Sequence, residues 1–235
     1  MNQEGGREKG EGVEKGAQLV SSPFPLPPSP RFLGLVEYEP TWRAMQQFTA
    51  QRTAETPDEI WLLQHPPTFT QGQAGLPEHL LNAHDIPVIK IDRGGQITYH
   101  GPGQVVMYLL LDLRRWKINV RELVRLMEQT VVDLLSEYGI AAQGREDAPG
   151  VYVNDAKIAA LGLKIRHGCC FHGLSLNVDM DKVPFSYINP CGYQGLRVTQ
   201  MKDFGVDTPI NEIELRLAHQ FTTLLQHHLK IKNAA

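Results

Sequence analysis

The stretch INPCGYQG, Ile188 to Gly195, sets Cys191 between Pro190 and Gly192. Proline fixes the backbone before the thiol and glycine removes the side chain after it, a local geometry that exposes a side chain to an approaching molecule. A thiol with an ordinary pKa of about 8.5 is mostly protonated at neutral pH, so nucleophilic chemistry needs a base or a cation within reach. Lys157, in NDAKIAALGLK, enters a largely apolar strand directly after a turn. Partial burial there favours the neutral amine and lets it accept a proton. His100 and His172 are rival bases. The plainer readings stay open at this point: a buried loop cysteine, and a surface lysine at a strand start.

A second constellation is DRGGQITYHGPGQ, Asp92 to Gln104. Two paired-glycine turns flank a short strand carrying Thr98, Tyr99 and His100, which presents approachable backbone amides beside an arginine and an imidazole. It lacks the lysine and hydroxyl of a phosphate-binding P-loop and does not follow the dinucleotide-binding glycine spacing. A β-hairpin that merely needs glycines is the alternative. A third, HGCCFH, gathers His167, Cys169, Cys170 and His172 within six residues. Strand alternation sends adjacent cysteines to opposite faces, and no second ligand pair follows at zinc-finger spacing. The expectation is structural cysteines, at least one facing the core, and no metal.

These residues need elements to hold them. The chain has 235 residues, 42% of them apolar, a net charge of -3 and three cysteines. Such a chain buries one good core, has no blanket attraction for nucleic acid or anionic membrane, and forms no disulfide framework. The longest apolar run, VVMYLLL at Val105 to Leu111, is far short of the ~20 residues a bilayer requires and reads as a buried strand. The N-terminus, MNQEGGREKGEGVEKGAQ, has no apolar core after a basic start, which argues against a signal peptide. A cytoplasmic location is expected. Residues 1–30, rich in glycine, charge and proline, are expected to be a disordered extension, and 31–235 a single catalytic domain.

From Phe32 the pattern alternates. RFLGLVEY reads as a strand, followed by a helix behind Pro40 with Trp42, Met45 and Phe48 on one face. DEIWLLQH, PVIKID, QITYH and GQVVMYLLLDL read as strands. Asn119, with Glu122 three residues on, opens a helix. It carries Val120, Leu123, Val124, Met127, Val131, Leu134, Leu135 and Tyr138 inward and stops at Gly139. VYVN, KIAALGLKI and GCCFHGLSLNV follow as strands, and Thr208 and Pro209 open a last helix with Ile213, Leu217, Phe221, Leu224 and Leu225 inward. Strands in runs with helices between the runs imply an α/β (α+β) fold with a mixed, largely antiparallel sheet and packed helices.

RGGQITYHGPGQ, AKIAALGLKIR, FHGLSLNV and NPCGYQG, in this order and at these separations, closely resemble the lipoyl(octanoyl) transferases of the biotin/lipoate protein ligase superfamily. The resemblance runs from about Phe32 to the final helix. It implies a biotin/lipoate protein ligase-like fold and transfer of octanoyl from acyl carrier protein to a lysine of lipoyl domains. Acceptors of this kind are those of 2-oxoacid dehydrogenases and the glycine-cleavage H protein. Cys191 is then the nucleophile that forms an acyl-thioester, and Lys157 the residue that lowers its pKa. Substrate positions fall on Arg93, Gly94, Gly95, Gln96, Ile97, Thr98, Tyr99 and His100, on Ala160, Leu161 and Gly162, and on Gly173, Leu174 and Ser175.

Thioester exchange is close to neutral and an amide is more stable, so the resemblance implies no cofactor. Ala159, Ala160, Gly162 and Gly173 are small enough to line an acyl channel. Arg114, Arg115 and Lys117 form a basic cluster that an acidic carrier protein would fit. Two other readings are carried beside this one. An ATP-dependent lipoate-protein ligase has a similar glycine loop, but its adenylating chemistry does not need the cysteine of NPCG. A non-catalytic acyl- or carrier-binding module requires Lys157 to lie far from that thiol.

Overall fold

The computed structural model describes residues 25–234. Seven strands form one sheet: β1 (Ser29–Leu35), β2 (Glu59–Gln64), β6 (Gln104–Asp112), β10 (Cys169–Asn177), β9 (Ala156–Arg166), β8 (Gly150–Val153) and β7 (Gln143–Gly144), adjacent in that order. Only β1 and β2 run parallel; the other neighbours are antiparallel. A second sheet sets β3 (Thr68–Gln71) between β4 (Val88–Lys90) and β5 (Ile97–His100). The mixed, largely antiparallel architecture expected from the sequence is present.

The first 24 residues of the expected N-terminal extension lie outside the described part, and Ser29 and Pro30 already belong to β1. Two strands had escaped the pattern. TFTQ is buried along its whole length, and four residues straight after Pro66 and Pro67 are too few to show a period. The two-residue β7 shows none either.

Both faces of the large sheet are covered. Helix α2 (Val120–Glu137) begins with the expected capping box, Asn119 and Glu122 exchanging side-chain to backbone hydrogen bonds of 2.9 Å. It packs with α3 (Ile210–Ala234) over β6, β9 and β10, burying Leu123, Met127, Val131, Phe221 and Leu225. Val120, expected inward, is exposed in the first turn. Helix α1 (Tyr38–Gln51) covers the other face at one end, with Met45 against Trp61, Tyr108 and Phe171. The small sheet covers the rest of that face.

Two polar assemblies tie these layers together. Asp58, just before β2 and 3% exposed, accepts hydrogen bonds from Arg52 at the end of α1, from the Asp112 backbone at 2.9 Å and from Trp116 Nε1 at 2.6 Å. It also pairs with Arg115 at 3.1 Å. Arg115 donates to the Thr56 and Ala54 carbonyls, Arg114 pairs with Asp112, and Lys117 donates to Asn233. Of the three basic residues, Arg115 is thus a structural member of the Asp58 assembly, while Arg114 and Lys117 are exposed.

The second assembly joins the sheets. His65 donates from Nδ1 to the Val36 carbonyl at 2.7 Å and accepts from the Tyr108 hydroxyl at 2.8 Å. His100 donates from Nδ1 to Gln104 at 2.7 Å and accepts from Thr70 at 3.3 Å. Each ring is thus neutral, one donor and one acceptor. Burial, the largest cause, lowers His65 to about 4 and His100 to about 3.

Two outcomes follow. Asp58→Ala leaves Arg52 buried without its carboxylate and is expected to cost about 3–5 kcal/mol in urea unfolding; a loss below about 1 kcal/mol contradicts the assembly's role. The unfolded chain protonates both histidines below 6.5 whereas the folded chain does not, so stability is intact above 6.5 and falls as pH drops toward 4. From pH 7 to about pH 5 the loss is on the order of 2 kcal/mol per ring, read from urea midpoints, and a flat profile contradicts it.

Candidate active site

Between the large sheet, the small sheet and α1 lies a cavity of about 340 Å³. Its floor is the face of β9 and β10 where side chains are smallest. Gly162 pairs with Gly173 and Ala160 with Ser175. A Cβ at Gly162 would stand 2.9 Å from Arg93 Cδ, and one at Gly173 would stand 2.1 Å from the Met107 carbonyl oxygen, so neither position has room for a side chain. The roof is the segment Arg93 to Thr98. Arg93 fixes it, donating to the carbonyls of Gly94 (2.9 Å), Gln96 (2.9 Å) and Thr70 (2.8 Å) and to the Thr70 hydroxyl (3.0 Å).

The two ends differ. At the mouth are Asp147, Pro149 and Tyr193, all exposed, together with Lys157. At the inner end are Tyr38, Tyr108 and His172, all buried. Val106 lines the cavity as well.

Lys157 is held from several sides. Its backbone bridges Val198, with hydrogen bonds of 2.8 Å to Arg197 and 3.0 Å from Thr199. Its Nζ donates to the Pro149 carbonyl at 3.2 Å and sits 5.1 Å from the centre of the Tyr152 ring. The residue is 4% exposed. Gly150 makes this seat possible: an added Cβ would stand 2.9 Å from Lys157 Cε and 3.1 Å from Nζ.

The cysteine turn arrives beside it. Pro190–Gly192 is a single 3-10 turn, closed by Gly192 donating to the Asn189 carbonyl and Tyr193 to that of Pro190. Asn189 donates to the His79 carbonyl at 2.8 Å, and the Tyr193 hydroxyl donates to that of Asp147 at 3.3 Å. Pro190 and Lys157 line one small cleft with Thr98 and Val198. The Cys191 side chain lies outside what the structure describes.

At the inner end Asp92 collects three donors: Trp42 Nε1 at 2.8 Å, Gln46 Nε2 at 2.9 Å and His172 Nε2 at 2.9 Å. Burial pushes its pKa up, but the hydrogen bonds outweigh burial and hold it at about 2. Burial lowers His172, with Asp92 opposing, so the neutral ring donates from Nε2 and leaves Nδ1 as an acceptor.

The structure brings Lys157, Arg93, Gly94, Gly95, Gln96, Ile97, Thr98, His100, Ala160, Leu161, Gly162, Gly173, Leu174 and Ser175 around the one cavity. Tyr99 is the exception. Alternation along β5 turns it to the core of the small sheet, against Phe69 and Phe185. Ala159 likewise faces the main core. Tyr108 gave no signal because it sits inside an apolar run that reads as core throughout, and Gly150 none because nothing in the sequence shows that the Lys157 side chain, seven residues on, folds back against it. Cys169 and Cys170 are both buried; burial raises both thiols, Cys170 to about 12. Among the described residues, no group of three or more His, Cys, Asp or Glu converges to hold a metal ion, and no helix is long and apolar enough to cross a membrane.

A family model described as the lipoyl protein ligase A/B catalytic domain matches residues 37–222. An octanoyltransferase from Nitrosomonas europaea is 64% identical over 193 residues, covering 82% of this chain and 95% of that one. One from Dechloromonas aromatica is 66% identical over 187 residues, covering 80% and 91%. Among solved structures, a lipoate-protein ligase A bound with ATP superposes with a TM-score of 0.72 at 17% identity over 86% of each chain. A biotin protein ligase from Aquifex aeolicus in complex with biotin and ATP gives 0.56 at 14% identity, over 84% of this chain and 70% of that one. At these identities the likeness is one of fold. With a sequence match that spans the cavity's floor, its roof and the lysine at its mouth, the chain belongs to the lipoyl(octanoyl) transferase family, acyltransferases built on the lipoyl protein ligase A/B catalytic domain.

Proposed function

We propose that this protein transfers an octanoyl group from acyl carrier protein to a specific lysine of a lipoyl domain, through a thioester on Cys191, as a first step of lipoate synthesis. The observation that carries this reading is the meeting of Lys157 and the Pro190–Gly192 turn at the mouth of a channel with a side-chain-poor floor. An acyl chain fits such a channel, and a protein-borne thioester reaches its mouth.

The chemistry takes two balanced steps. The Cys191 sulfur, its proton passed to Lys157 Nζ, attacks the carrier thioester; a new C–S bond forms, the carrier's C–S bond breaks, and the departing thiolate takes the proton. The acceptor lysine amine then attacks the enzyme thioester, Lys157 takes the amine's proton as general base, and Cys191 leaves as the thiolate that this proton restores. Thioester plus amine become amide plus thiol. No energy source is needed, which separates this route from an ATP-dependent ligase of the same fold. The backbone N–H groups of the cysteine turn and of the Arg93 segment are the candidate donors to the tetrahedral oxyanion.

The direct test is transfer of octanoyl from its carrier protein to a lipoyl domain without nucleotide, followed by mass spectrometry of the acceptor. Cys191→Ala is expected to abolish transfer and Lys157→Ala to slow it by about a hundredfold or more. Transfer that requires ATP, or that survives Cys191→Ala, returns the protein to the ligase reading. Gly150→Ala tests the seat of Lys157 by crowding it, since the added Cβ stands 3.1 Å from Nζ and 2.9 Å from the Ala159 carbonyl oxygen. Displacing the amine is expected to lower kcat by about a hundredfold, and an unchanged kcat contradicts a catalytic Lys157 in this position.

A further inference from the structure

His172 is a feature of the channel that the transfer chemistry leaves unused. It lies inside β10 with φ at +64°, a left-handed conformation that a side-chain-bearing residue adopts at a cost. Its ring is anchored nonetheless. Nε2 donates to Asp92, which Trp42 and Gln46 of α1 hold in place. The other ring nitrogen, Nδ1, is buried without a hydrogen-bond partner, and the ring lines the cavity beside Tyr38, Tyr108 and Gly173.

Register fixes where this ring stands. His172 pairs with Leu163, three residues along β9 from Ala160, and Ala160 pairs with the Gly150 that abuts Lys157 Nζ, so the ring stands about 10 Å of strand from the amine at ~3.3 Å per residue. A base so far from the mouth is beyond hydrogen-bond reach of either reacting group. What it can touch is the far end of the acyl chain.

We propose that the imidazole of His172, anchored through Asp92, is the end wall of the acyl channel and makes octanoyl the longest chain that seats fully. The inference rests on reading the cavity as the acyl site. A longer chain has to push aside a ring held from α1 and break its hydrogen bond to Asp92. The floor cannot yield instead, because Gly173 already abuts the Met107 carbonyl. The neutral state of the ring suits a site that receives a terminal methyl group.

The test is kcat/KM for hexanoyl, octanoyl, decanoyl and dodecanoyl carrier proteins, read as the acyl group appearing on a lipoyl domain. The parent is compared with His172→Gly, His172→Asn and His172→Phe. Glycine removes the wall at a backbone angle it favours, asparagine shortens it and also tolerates that angle, and phenylalanine keeps the bulk without the hydrogen bond. The dodecanoyl-to-octanoyl ratio is expected to rise roughly tenfold or more in His172→Gly, by less in His172→Asn, and to stay within about threefold of the parent in His172→Phe. An unchanged ratio in the glycine and asparagine variants, or a phenylalanine variant as relaxed as the glycine one, overturns the proposal. Because the readout is the amide product, it is independent of the residue that carries the acyl group. Acyl loading of Cys191 is measured separately, so failure of the thioester route and failure of the wall give different results.

Discussion

Gly162 and Gly173 face each other across β9 and β10, and the absence of two side chains at that pair is the constraint on which the rest of the site depends. The Arg93 segment lies so close over Gly162 that a single methyl group would collide with Arg93 Cδ. Placed on any other part of the sheet, the roof would stand off by the height of a side chain and the channel would open to solvent. The sheet thus serves two purposes. One face anchors α2 and α3 through a continuous apolar core, while the other gives up packing to leave room for a chain of methylenes.

That surrender is offset by hydrogen bonding. Arg93 donates to Thr70, Thr70 to His100, His100 to Gln104, Gln104 to Asn177, and Asn177 to the Thr199 carbonyl. Thr199 in turn donates to the Lys157 carbonyl. One polar chain therefore runs from the channel's roof, through both sheets, to the strand that presents the lysine. Its members are buried and mutually satisfied, the condition under which a polar network fixes a single geometry instead of costing stability. The neutral states of His65 and His100 belong to the same arrangement, since a proton on either ring would reverse an acceptor.

Much of this was legible in the sequence, and the exceptions have physical causes. Helix α2 announced itself through Asn119, Glu122 and Gly139 because capping is local chemistry. The motif segments could be named because glycine, proline, lysine and cysteine each alter the backbone or the charge where they stand. That Tyr99 turns away from the cavity was not legible because a four-residue strand fixes no register by itself, and only pairing with β3 decides which face it shows. The structural role of Arg115 was not legible because a sequence does not reveal that Asp58 lies buried beside it. The Asp92–His172 contact joins residues 80 positions apart, and a left-handed histidine within a strand has no sequence signature.

The account as a whole turns on a covalent intermediate at the mouth of the channel, and intact-protein mass reads it most directly. The protein is mixed with octanoyl acyl carrier protein in the absence of any acceptor, then weighed and mapped by peptide. A single octanoyl group, labile to hydroxylamine and located on the peptide holding Cys191, is the predicted result. A parent protein that stays unmodified, or one that carries the group on another residue, contradicts it.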